Sequence, residues 1–289
     1  MRWGHAPLRR SSAAVRGITS DQLHVRLAPA QVPVELDPVV ALFNGMLVQL
    51  ESSFARLTHF SAGIAHELRT PVTSLTTQTQ VALSKSRDAQ AYREVLYSSL
   101  EELERMGKMI ADMLFLAQAD NHLSKPERQE VDLQDQVRAL FDYFEAWAEE
   151  AGVRLQLEGQ AHAVLGDPLM LRRALSNLIA NAPRHTPGGQ TISVTLAAAS
   201  DTVEVRVSNP GPDIPPQHLA HRFDRFYRVD PARRHEGGRA GLGLAIVKSI
   251  VQVHGGEVGV SSAHSTTSFL IRLPLLDRLA LRLSDPGLS

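Results

Sequence analysis

Within FSAGIAHELRTP, residues 60–71, four reactive side chains, His66, Glu67, Arg69 and Thr70, fall inside five positions. A neutral imidazole is a competent nucleophile near pH 7, its ordinary pKa being about 6.5. Glu67, next in sequence, can take up the ring proton or fix the tautomer. Thr70 stands four residues on, so on a helix its hydroxyl shares a face with His66 one turn away. A second concentration is LRRALSNLIANAPRHTPGG, residues 171–189, where Asn177 and Asn181 would lie one turn apart on a helix N-capped by Asp167. Amide oxygens suit Mg²⁺, which takes few protein ligands and keeps waters and phosphate oxygens around it. A third is GGRAGLGLAIV, residues 237–247, in which Gly241 and Gly243 would let backbone amides approach a phosphate at the start of a helix. Alone, each signal is ordinary: a surface histidine, a solvated asparagine face, a glycine turn.

The elements that must hold these groups follow from apolar spacing. Val40, Phe43, Met46, Leu47, Leu50, Phe54, Leu57, Ile64, Leu68, Val72 and Leu75 recur at helical intervals, predicting one long helix or two nearly continuous ones, with a bend at Pro71. After the polar break SKSRDAQ, residues 84–90, a second stripe runs through Leu96, Leu100, Leu103, Met106, Ile110, Met113, Leu114 and Ala117. The two form a helical hairpin, and stripes this long are covered most simply by a second copy, closing a dimeric four-helix bundle. Beyond residue 128 the texture changes to α+β. VRLQLEG reads as a strand, GDPLMLRRALSNLIANA as a helix, TISVTLAAA and TVEVRVSN as an antiparallel pair, GLGLAIVKSIVQVHGG as a helix, and EVGVSS and SFLIRLPL as strands. Residues 1–36 read as short helical pieces around a proline-interrupted connector.

Composition narrows the classes. The chain has 289 residues, 43% of them hydrophobic, which is enough for more than one core. A formal charge of −1 and a pI near 6.9 provide no basic field for nucleic acid. Zero cysteines exclude disulfides and thiolate chemistry and fit a reducing compartment, so a cytoplasmic location is expected. No run of about 18 apolar residues offers a membrane span.

FSAGIAHELRTP resembles the phosphoacceptor box of two-component sensor histidine kinases. LSNLIANAPRHTPGG is similar to the family's N box, FDRFYR, residues 223–228, to its F box, and GLG to its second glycine box, in the family's order. The resemblance implies a protein-histidine kinase: ATP as phosphoryl donor, Mg²⁺ as cofactor, His66 as nucleophile, Glu67 and Thr70 as its catalytic neighbours. It implies Asn181 as metal ligand supported by Asn177, Arg184 and His185 near the phosphates, Asn209 and Gly211 at the adenine, and Phe223, Phe226, Gly241, Leu242 and Gly243 completing the nucleotide site beneath a mobile glycine- and arginine-rich lid. Family members with H-E-x-x-T also often dephosphorylate their regulators, which points to Thr70. The implied fold is a hairpin bundle followed by a three-layered Bergerat-type α/β sandwich, shared with the gyrase, Hsp90 and MutL ATPases. The implied partners are a response-regulator receiver domain and a second copy of the chain.

Departures from the pattern are specific. Pro183 should kink or shorten the N-box helix just after Asn181. SNPGPDIPP has Asn209, Gly211 and Asp213 where the family carries Asp-x-Gly-x-Gly; Asn209 keeps a carbonyl acceptor without charge, and Asp213 would take the left-handed backbone a glycine favours. Thr266 stands where a later glycine is common. These resemble heavy-metal-responsive members of the copper and silver type, and GHAPLRRSSAAVRGITS, VPVEL and FNGML resemble a HAMP signalling segment. The expected domains are a HAMP-like segment over 1–52, the phosphotransfer hairpin over 53–122, the catalytic domain over 123–275 and a tail over 276–289. The membrane helices and sensor of such proteins are absent, so the chain reads as a cytoplasmic part or a truncated frame, with full-length members anchored in the inner membrane. His218 and His221 read as a solvated helix face. Two rivals remain: an inactive or weak nucleotide-binding scaffold, or a plain ATPase of the same superfamily, which would want a general base where Asn177 stands.

Overall fold

The computed structural model describes residues 24, 26, 37–120, 126–160, 163–228 and 241–275. Most of the expected HAMP-like segment, the lid over 229–240 and the tail over 276–289 lie outside the described residues. The chain falls into two compact units, 1–74 and 75–289, and the division runs through a single helix.

That helix is α1, Asp37–Leu83, with Asp37 in its first turn, where a carboxylate complements the positive helix end. It continues through Pro71, which is buried inside it, so of the two expected arrangements the chain forms the single long helix. On the neighbouring turn the Thr73 hydroxyl donates to the Arg69 carbonyl at 2.8 Å. In the first unit Val40 and Leu47 are buried, Leu42, Met46, Leu50, Phe54 and Leu57 are exposed, and Arg26 pairs with Glu51.

In the second unit, α2 spans Ala89–Asp120. Its last turns are buried at Met109, Met113, Leu116 and Ala119, while Leu96, Leu100, Leu103, Ile110 and Leu114 remain exposed. Strand β1 (Gln129–Val131) and helix α3 (Leu133–Glu150) follow, where the sequence reading names no element. The signal was local: Asp132 accepts from the amides of Gln134 and Asp135, and Leu133, Val137, Leu140 and Ala148 form the buried face.

Strand β2 (Arg154–Gly159), strand β3 (Val164–Gly166), helix α4 (Pro168–Ile179), strands β4 (Thr191–Ala198) and β5 (Thr202–Pro210), the single turn α5 (Pro216–Leu219), helix α6 (Gly243–Val253) and strands β6 (Glu257–Ala263) and β7 (Thr266–Pro274) complete the unit. The main sheet has the order β2-β4-β5-β7-β6, with β2 parallel to β4 and the rest antiparallel. A small antiparallel pair joins β1 to β3. Register sets Val194 against Val207, Val207 against Phe269 and Val205 against Ile271, so one face presents a continuous apolar layer. Against it lie the buried sides of α4 and α6, including Leu171, Leu175, Leu178, Ile246, Val247 and Ile250. Fully burying each such aliphatic side chain stabilises by roughly 1.5–3 kcal/mol.

The opposite face carries Glu204, Arg206 and Arg272, with Arg272 Nε donating to Glu204 at 2.7 Å. It is uncovered among the described residues, so the sandwich has two layers rather than the expected three: alternating polar residues have no reason to recruit a third. No described helix is long and apolar enough to cross a membrane.

Candidate functional site

In the first unit His66, Arg69 and Thr70 are exposed and Glu67 is half-buried, all on consecutive turns of α1. Beside them the Thr73 hydroxyl bonds back to the Arg69 carbonyl.

The second unit holds a cavity of about 730 Å³. Asn177, Asn181, Arg184, His185, Asn209, Gly211, Gly241 and Gly243 all line it. Helix α4 presents the first of these because Asp167 caps it, accepting from Leu169 and Met170 amides at 3.0 Å, with Pro168 in the first turn. The helix ends at Ile179 with Ala180 as C-cap. Asn181 therefore lies in the following turn, its amide bonded to the Leu178 carbonyl at 3.1 Å, and not on the helix as expected. Pro183 opens a 3₁₀ turn, Pro183–His185, and supplies no amide to continue the α-helical ladder, so the shortening comes before Asn181.

Glycines admit the close approaches. A Cβ on Gly211 would stand 2.3 Å from the His185 carbonyl oxygen, and one on Gly243 would touch the Asn177 amide at 3.6 Å. Gly241 has φ 67°, opposite Phe226 at φ 61°, and the Phe226 amide donates to the Gly241 carbonyl at 3.2 Å. Phe223, Phe226 and Leu242 do not themselves line the cavity. Phe223 packs edge-on against Phe269 at 6.3 Å and Leu242 is buried in the core, so they position the glycine-bearing backbone from behind.

At the end of β5, Asn209 is buried and its amide nitrogen donates to the Pro210 carbonyl at 3.3 Å, which leaves the side-chain oxygen to accept. Asp213 does not take the left-handed backbone expected of it. That conformation falls instead on His264 and Ser265, at φ 53° and 57°, in the β6–β7 turn where glycine is missing. Asp213 Oδ1 accepts from the Ser265 amide at 2.9 Å, Gly211 N donates to the Ser265 carbonyl at 2.9 Å, and Ile214 N donates to Ser262 Oγ at 2.8 Å. The substituted turn and the loop over the cavity thus brace each other.

His218 and His221 are not a shared helix face: α5 ends at Leu219, His218 Nδ1 meets the Tyr227 hydroxyl at 2.6 Å and His221 Nδ1 meets Asp224 at 2.8 Å. The sequence reading did not single out Trp147, Arg222 or Tyr227, which line the cavity too. Trp147 was detectable, being at i+3 from Phe144 on an amphipathic helix; the ring centroids are 5.7 Å apart. Burial, and then the charge of Arg228, hold the Arg184 guanidinium below its usual range. Three arginines, Arg184, Arg222 and Arg228, against one lining carboxylate, Asp213, make the cavity suited to an anion. No group of three or more His, Asp or Glu side chains capable of holding a metal occurs among the described residues. A donor set of two neutral asparagine amides fits Mg²⁺ brought in with phosphate oxygens, which needs few protein ligands.

Behind the cavity His254 is buried. Its Nδ1 donates to the Ile250 carbonyl at 2.7 Å and its Nε2 accepts from the Asp167 amide at 2.9 Å. With Gly243 against Asn177 at the other end, α4 and α6 are fixed as an antiparallel pair at both ends.

Residues 56–122 match the family described as His Kinase A (phospho-acceptor) domain, and residues 166–277 match the histidine kinase-, DNA gyrase B- and HSP90-like ATPase family. The chain is 54% identical over 271 residues to the sensor histidine kinase CusS of Escherichia coli (strain K12), covering 94% of this chain and 56% of that one. It is 47% identical over 285 residues to the probable sensor kinase SilS of Salmonella typhimurium, covering 96% and 57%. The chain thus spans little more than half the length of these relatives. Among solved structures, the Acinetobacter baumannii histidine kinase AdeS superposes with a TM-score of 0.61 at 23% identity, over 73% of this chain and 98% of that one. Histidine kinase ThkA, solved in complex with response regulator protein TrrA, gives a TM-score of 0.63 at 21% identity, over 78% and 64%. At these identities the likeness concerns the fold.

Proposed function

The chain belongs to the sensor histidine kinases, and on that premise we propose that it transfers the γ-phosphoryl group of ATP to a ring nitrogen of His66 and then to an aspartate of a response-regulator receiver domain. The observation that carries this reading is the cavity, where Asn177, Asn181, three glycines and a cationic wall converge. It belongs to a chain whose other matched family is a phospho-acceptor domain containing the exposed His66.

In the first step a lone pair on the imidazole attacks the γ-phosphorus. The bond from that phosphorus to the β–γ bridging oxygen breaks, ADP leaves with the electron pair, and Glu67 accepts or orients the ring proton. In the second, a receiver carboxylate oxygen attacks the same phosphorus and the imidazole departs. Such transfers demand positioning and charge neutralisation more than covalent assistance from the protein. The cationic side chains and the amides near Gly241 and Gly243 supply these, while Asn209 accepts from the adenine amino group. Asn181, aided by Asn177, would hold Mg²⁺, which when bound neutralises phosphate charge. The exposed leucines of α1 and α2 support a homodimer that covers them, with the phosphotransfer hairpin over 53–122 and the catalytic domain over 123–275.

The test is incubation with γ-labelled ATP. Wild-type protein should acquire acid-labile, base-stable phosphate. His66→Gln should acquire none while binding ATP as before. Label persisting on the variant would move the nucleophile elsewhere.

A further inference from the structure

Arg222 follows α5 in a turn, its amide donating to the Leu219 carbonyl at 3.2 Å, and its side chain lines the cavity. Its Nε is buried and has no hydrogen-bond partner. Among the described residues, no carboxylate or carbonyl takes any of its guanidinium donors. A guanidinium carries five N–H donors and cannot shed its charge at neutral pH, so leaving it partly out of water without an anion is unfavourable.

The surroundings make this worse. Arg184 and Arg228 share the cavity wall, and the lining carboxylate, Asp213, is engaged by the Ser265 amide. Burial lowers the Arg222 pKa, and of its neighbours Tyr227 opposes that shift. Arg222 and Tyr227 line the same cavity as Gly241, Gly243, Asn177 and Asn181. A protein that only needed to fill this position could use an aliphatic side chain and avoid stranding a charge.

We infer that Arg222 is a nucleotide-binding residue whose unpaired guanidinium is completed by the polyphosphate of the bound nucleotide. This rests on the ATP-dependent reading above. The free protein carries an uncompensated cation, and the ligand's oxygens supply the missing acceptors. Stability of the empty site and affinity for the nucleotide are thus set against each other at one side chain.

The experiment titrates the whole chain with ATP, ADP and adenosine, for wild type, Arg222→Leu and Arg222→Lys, and records melting without ligand. Charge-assisted hydrogen bonds of the usual strength predict that Arg222→Leu weakens ATP and ADP by roughly ten- to a hundred-fold and adenosine by less than about twofold. Arg222→Lys should recover part of the loss. The unliganded Arg222→Leu protein should melt at or above the wild-type temperature. Retained ATP affinity overturns the inference. So does an equal loss for adenosine, which would put Arg222 at the base, or a lower melting temperature with no rescue by lysine, which would make it a packing residue. A wild-type chain that binds neither ATP nor ADP refutes the functional reading itself; wild-type binding with an indifferent Arg222 refutes this inference alone.

Discussion

Replacing His254 by leucine should weaken the second unit and also erase part of its pH dependence. The imidazole is only 2% exposed and is neutral by necessity: Nδ1 gives its proton to Ile250 and Nε2 must accept from the Asp167 amide. Burial pushes its pKa below the ordinary 6.5, the Ile250 carbonyl opposes this, and the charges of Arg128 and Asp167 act in opposite directions. The sign follows. The unfolded chain takes up the proton near pH 6.5 while the folded one does so only at lower pH, so this site's stability is present above pH 6.5 and declines as pH falls toward the folded value. Across that window the slope approaches about 1.4 kcal/mol per pH unit. At pH 7.5, leucine loses the hydrogen bond to Ile250, worth about 0.5–1.5 kcal/mol, and orphans the Asp167 N–H, costing about 1–3 kcal/mol, for a total of about 1.5–4.5 kcal/mol. Urea unfolding from pH 5 to 8, followed by Trp147 fluorescence in a Trp3→Phe background, measures both quantities. An identical pH slope in wild type and His254→Leu would refute the argument, as would a wild type that gains stability on acidification through this window.

Two further outcomes are expected. Gly211→Ala forces a methyl to within 2.3 Å of the His185 carbonyl oxygen, so the turn must move; a loss of about 1–3 kcal/mol in stability, with weakened ATP binding, should appear in melting and titration. Thr70→Ala should leave autophosphorylation at His66 intact yet clear phosphate from a pre-phosphorylated regulator, in the presence of ADP, much more slowly than wild type, and equal clearance rates would return Thr70 to a structural role.

Much of the cavity was legible because local rules govern it. Asp167 before Pro168 marks a helix start whatever surrounds it, and the alternating valines of β4 and β5 allow one buried face. The same locality explains the misreadings. Asn181 at i+4 from Asn177 looks helical by spacing, but the helix end is decided by Pro183 together with the turn that packs beneath it. The motif points to Asp213 for a left-handed backbone, whereas the chain places it at His264 and Ser265 in the β6–β7 turn, joined to Asp213 by a tertiary hydrogen bond. Arg222 resembles any surface arginine in the sequence; only three-dimensional burial strands its Nε. His254, four residues after Ile250, carries no local sign that it reaches an amide 87 positions away.

The last turns of α2 pack against α6, and Arg173 of α4 pairs with Asp112 while its guanidinium lies 4.5 Å from the centre of the Phe115 ring. Gene shuffling that treated the segment after Asp120 as a seam would cut through this contact. The donated α/β module would carry away a bare apolar patch and an arginine stripped of both partners. The recipient helix would lose the surface that shelters Met113 and Leu116. Interchangeable parts in this lineage should therefore be exchanged with the end of α2 attached, and chimaeras joined upstream of Met109 should stay soluble where those joined after Asp120 aggregate.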